Sequence, residues 1–96
     1  MRLEKRIINK LKKAVYSSFG DVNIYLFGSR TDDEKKGGDI DIAIDANLSR
    51  VDFRKNKAKF IANLIKDNFE LKVDVVSYNT EDKLLYDNLR NTALKI

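Results

Sequence analysis

Ninety-six residues with 43% hydrophobic and 35% charged side chains suffice for one small globular domain, expected here to span residues 1–96. The formal net charge of +4 suits a nucleic acid, a nucleotide or an acidic partner. With neither cysteine nor histidine, the chain excludes disulfides, thiolate and imidazole metal sites, and histidine acid–base catalysis, so any metal rests on oxygen ligands.

The first predicted element is a helix from Leu3 to about Phe19. Leu3, Ile7, Leu11 and Val15 recur every four residues, and Ile8 and Ala14 widen the stripe. Lys5, Arg6, Lys10, Lys12 and Lys13 occupy the other face, which reads as a solvated one, and Gly20 follows as a stop. Met1 to Arg6 carries charge but lacks the apolar centre of a secretory signal. No apolar run approaches the ~20 residues of a membrane span, so a cytoplasmic protein is expected.

Val22 to Phe27 is a first strand, with Val22, Ile24 and Leu26 on one face and Tyr25 and Phe27 on the other. Gly28 to Gly38 is a loop, and Asp39 to Ile44 a second strand. Asp45 to Leu48 connects to Ser49, an N-cap with Asp52 three residues on, and a helix from Arg50 to about Asn68. Phe53, Phe60, Ile61, Leu64 and Ile65 lie on its mostly apolar face and read as core. Leu71 to Ser77 is a third strand, in which Leu71, Val73 and Val75 alternate with Lys72, Asp74 and Val76. Asn79 or Thr80 is expected to cap a last helix carrying Glu81 and Asp82 in its first turn, then Leu84, Leu85 and Leu89. The fold class expected is α/β, in the α+β sense, with a small mixed or antiparallel sheet of three or more strands packed with helices.

Chemistry concentrates between Leu26 and Asp45. In Asp39-Ile40-Asp41-Ile42-Ala43-Ile44 the isoleucines point into a core, and the two aspartates share the opposite face, about 7 Å apart along the strand. Aspartate is disfavoured in strands, and two on one face repel unless water or a cation screens them. Such a pair suits Mg²⁺, which takes one or two carboxylates with phosphate oxygens and water. Upstream, Gly28 lets a phosphate approach the backbone, and Ser29 offers a hydroxyl. Alone, a Gly-Ser pair at a strand end is ordinarily a turn, and an exposed Asp-Ile-Asp is ordinarily solvated. Asp74 alone reads as a surface aspartate. In this order, on these strands, they assemble the parts of a nucleotide site.

Gly28-Ser29, nine intervening residues and Asp39-Ile40-Asp41 resemble the signature of the nucleotidyltransferase superfamily that includes DNA polymerase beta. The short chain resembles in particular the minimal nucleotidyltransferases, the MntA-like antitoxins paired with HEPN-domain toxins. The signature covers about a fifth of the chain, and the predicted order of elements fits the family across nearly all of it. The resemblance implies the polymerase-beta-like fold and a strand carrying Asp74 beside Asp39 and Asp41. It implies two Mg²⁺ or Mn²⁺ ions held by Asp39 and Asp41, with Asp74 completing the catalytic ion's shell and helping to deprotonate the nucleophile. Gly28 and Ser29 would seat the triphosphate. Arg30 either adds charge there or braces the loop through a salt bridge, and both readings stay open.

The implied activity is transfer of AMP from ATP to a tyrosine of a HEPN-domain toxin, with the two proteins forming a hetero-oligomeric toxin–antitoxin pair. The competing expectation is a catalytically weak or inactive antitoxin of the same fold that neutralises its partner by binding. Asp32, Asp33 and Glu34 depart from the small and basic residues many relatives carry beside the triphosphate, and Lys35 and Lys36 offset them only if the acids point to solvent. Larger relatives hold the acceptor with a second domain, which is not expected here, favouring a folded protein as acceptor. Direct nucleic-acid binding is not expected, because the lysine-rich helices come without a stacking platform or reader motif.

Overall fold

The computed structural model describes residues 5–27, 40–69 and 71–96. The expected helix start at Leu3, the loop from Gly28 to Gly38, and Asp39 lie outside them. The four-residue apolar recurrence produces helix α1 (Lys5–Phe19), which buries Leu11, Ala14 and Val15. Gly20 ends it at φ +88°, donating its N–H to the Tyr16 carbonyl at 3.0 Å. A side chain at that φ is strained, which is why glycine stands there.

Strands β1 (Asn23–Phe27) and β2 (Ile40–Asp45) are antiparallel, pairing Ile24 with Ile44, Leu26 with Ile42, and Phe27 with Asp41. Ile24, Leu26, Ile40, Ile42 and Ile44 are all buried, as their alternation predicts. Helix α2 (Arg50–Lys66) starts at Ser49, whose side chain accepts the Asp52 N–H at 3.1 Å. Ser49→Ala is expected to cost about 1 kcal/mol, read from the urea midpoint at unchanged denaturant slope. The helix stops two residues before the expected Asn68, because Asn68 takes a left-handed φ of 55°. Strand β3 (Val73–Ser77) then returns parallel to β2, so β2, α2 and β3 form a crossover unit.

Helix α3 (Lys83–Thr92) corrects the expected cap. Asp82 caps it, accepting the Leu84 and Leu85 N–H groups at 3.1 and 3.2 Å. The expected caps are engaged elsewhere: the Thr80 hydroxyl accepts the Asp82 N–H at 3.1 Å, and the Asn79 amide donates to the Asp45 carboxylate at 2.7 Å. A short strand β4 (Leu94–Lys95) pairs antiparallel with β1, an addition to the three strands read from the sequence, since two residues carry no periodic signal. The sheet is mixed, in the order β3-β2-β1-β4.

Helices α1 and α2 cover one face of the sheet, and the core lies between the layers. Leu11 and Val15 meet Phe60 and Leu64 there, over the isoleucines of β2 and over Val73 and Val75. On the other face the Tyr25 ring stacks on Tyr78, with centroids 3.9 Å apart. Arg90 ties α3 to this second face by donating to the Tyr78 carbonyl at 2.9 Å. Among the described residues no helix is long and apolar enough to cross a membrane.

Candidate active site

Two of the three expected carboxylates come together through strand register. The β2–β3 pairing sets Ile40 beside Val73, Asp41 beside Asp74, and Ile42 beside Val75. The flanking apolar pairs are buried under the helices, so Asp41 and Asp74 both turn to the opposite face. Neighbouring strands lie about 4.8 Å apart, which makes these carboxylates side-by-side neighbours. Asp41 is half-buried and Asp74 exposed. On its other side Asp41 is the register partner of Phe27, the last residue of β1. Gly28 and Ser29 follow Phe27 directly in the sequence, and Asp39 directly precedes Ile40.

Asp39, Gly28, Ser29 and Arg30 lie outside the described residues, as do Asp32, Asp33 and Glu34. Among the described residues no group of three or more Asp, Glu, His or Cys gathers for a metal ion. The Asp41–Asp74 pair nevertheless has the right donor chemistry for a hard divalent cation, with carboxylate oxygens adjacent on one open face. Like charges side by side on a sheet are destabilising on their own.

At the far end of β2, roughly 13 Å from Asp41 along the strand, Asp45 begins a polar network that the sequence did not disclose. Asn79 donates to Asp45, and Arg90 in turn donates to the Asn79 side-chain oxygen at 3.2 Å. The Arg90 guanidinium lies 3.9 Å from the Tyr78 ring centroid and 4.0 Å from that of Tyr86. Each such contact contributes about 0.5–1 kcal/mol at an exposed site. Burial, with Tyr78 and Asp45 nearby, pushes the Tyr25 hydroxyl above its ordinary pKa of 10.0. Tyr25 is therefore protonated at neutral pH and serves packing. The network joins residues 25, 45, 78, 79, 86 and 90 across three elements, and no local spacing announces it.

Comparison with known proteins bears on what the carboxylate pair does. A family model described as a nucleotidyltransferase domain matches residues 8–95. Two solved structures of a toxin–antitoxin complex, MntA-HpeT, contain a similar chain. In one, which carries a tyrosine-to-alanine mutation, the TM-score is 0.63 at 23% identity, covering 93% of this chain and 69% of the other. In the second, which carries two aspartate-to-glutamate mutations, it is 0.64 at 21% identity, covering 91% and 69%. At these identities the likeness is one of fold. No curated protein matches the sequence.

Proposed function

Since the chain belongs to the nucleotidyltransferase domain family, we propose that residues 1–96 form one minimal nucleotidyltransferase domain that moves AMP from ATP to a tyrosine hydroxyl of a HEPN-domain toxin, as the antitoxin of the pair. The observation that carries this reading is the parallel register setting Asp41 beside Asp74, with the Gly28-Ser29 pair directly following Asp41's other partner. The structural likeness to chains of a toxin–antitoxin complex supports the choice of a protein acceptor.

Each residue has a role in this reading. Gly28 and Ser29 bind the triphosphate through backbone N–H groups and a hydroxyl. Asp39, Asp41 and Asp74 would hold divalent cations, Mg²⁺ or Mn²⁺, whose chemistry there would be to stabilise charge on the phosphate oxygens and acidify the acceptor. The acceptor oxygen attacks the α-phosphorus, and the bond from that phosphorus to the oxygen bridging to the β-phosphorus breaks. Pyrophosphate leaves with that electron pair, and the hydroxyl proton passes through the Asp74 carboxylate to solvent. Arg30 adds positive charge beside the phosphates.

The test is the intact mass of a HEPN-domain toxin that forms a complex with this chain, after incubation with this chain, ATP and Mg²⁺. A gain of one or more AMP units, absent with the Asp39→Ala/Asp41→Ala variant, is expected. An unchanged mass within a stable complex would replace transfer by neutralisation through binding.

A further inference from the structure

The edge of the sheet next to Asp74 has the features of a docking surface. Strand β3 ends the strand order, and among the described residues β2 is the only strand it pairs with. Its inner hydrogen bonds use even-numbered residues: the Lys72 carbonyl accepts the Ile40 N–H at 2.9 Å, and the Tyr78 N–H donates to the Ile44 carbonyl at 3.0 Å. By the alternation of a ladder, Val73, Val75 and Ser77 turn their N–H and C=O groups outward. Such a row is a template for another extended segment.

A groove of about 450 Å³ opens between the C-terminal half of this strand and the first turns of α2. Leu48, Phe53 and Val75 give it apolar lining, and Arg54 and Lys57 give it positive charge. The acids on the opposite wall are engaged: Glu81 pairs with Arg50 at 3.7 Å, and Asp82 caps α3. Arg54 and Lys57 have no acidic partner among the described residues.

We propose that the outer edge of β3 docks an extended acidic segment of the partner protein, added to the sheet as a further strand. Alternate side chains of such a segment fall on opposite faces. One set meets the groove, where acids face Arg54 and Lys57 and an apolar residue meets Leu48 and Phe53. The other set lies on the face of Asp74 and Asp41, where a tyrosine hydroxyl is delivered to the carboxylates. Delivery of the acceptor rests on the transfer reading above, whereas docking itself does not.

The probe is the capped hexapeptide Glu-Thr-Val-Tyr-Glu-Thr, followed through the backbone amide NMR shifts of the whole chain without nucleotide. Shifts centred on Val73, Val75 and Ser77 are expected, with binding weakened at least tenfold by Arg54→Glu/Lys57→Glu. The same peptide with alternate amides N-methylated keeps its side chains but cannot pair with a strand, and it is expected not to bind. Equal binding of the N-methylated peptide, shifts centred elsewhere, or indifference to the charge reversal would each overturn the proposal. So would concentration-dependent shifts at the same amides without peptide, which would assign the edge to a second copy of this chain. Docking without any AMP transfer to the partner would leave the surface standing and remove only the enzymatic reading.

Discussion

Asp41→Ala is expected to lower nucleotidyl transfer by roughly 10²–10³-fold or more, the range seen when one preorganised electrostatic group is removed from an active site. The physical reason is its position. Among the described residues, Asp41 alone adjoins both the end of β1, which Gly28-Ser29 follows in the sequence, and Asp74 on β3. Asp74→Asn is expected to lower transfer too, but to raise the stability of the metal-free protein by about 0.2–1 kcal/mol, because it relieves a like-charge cross-strand pair. Initial rates with α-phosphate-labelled ATP check the first effect, and thermal melts with and without Mg²⁺ check the second. Mg²⁺ is expected to stabilise the wild-type chain and to have little effect on Asp74→Asn. Equal Mg²⁺ stabilisation of the two proteins would take Asp74 out of the cation site. Wild-type rates in Asp41→Ala would place the chemistry elsewhere.

Phe60→Ala is expected to destabilise the fold by about 3–5 kcal/mol, a large part of the 5–15 kcal/mol typical of a small domain. Phe60 is fully buried at 0% exposure in the cluster where α2 meets α1 and the sheet, so little solvent-side relaxation is available to close the gap it leaves. Ile65, one turn further on the same helix, is 70% exposed, and Ile65→Ala is expected to change stability by no more than about 0.5 kcal/mol. Urea unfolding at constant slope distinguishes the two. A similar cost for both would mean that Ile65 is covered in solution as Phe60 is, since alanine is the better helix former and helix propensity would favour both substitutions.

The contrast between these two side chains marks how far periodicity reaches. Phe60 and Ile65 both lie on the helical face that the sequence reads as core, yet one is buried and the other exposed. The stripe identifies a face, and how much of it is covered depends on how α1 and the sheet pack against it. The caps show the same limit. Ser49 caps as read, since its contact with the Asp52 N–H is local. Asn79 does not cap α3, because its side-chain oxygen, the atom a cap would use, accepts from Arg90, and its amide donates to Asp45, 34 residues away in sequence.

The sequence by itself determined the three helices, the first three strands and the inward faces of those strands, because alternation of two and recurrence near four are set by backbone geometry within a few residues. It also determined the chemistry available: oxygen ligands only, with carboxylates placed on the outward face of strands. Only the tertiary structure decided that β3 runs parallel to β2 in the register joining Asp41 to Asp74, that β4 closes the other edge on β1, and that Arg90 binds α3 over Tyr78. Those are contacts between segments far apart in the chain. The β2–β3 register is selected by the joint burial of Ile40, Ile42, Val73 and Val75, since a one-residue slip would turn those side chains out of the core and the carboxylates into it.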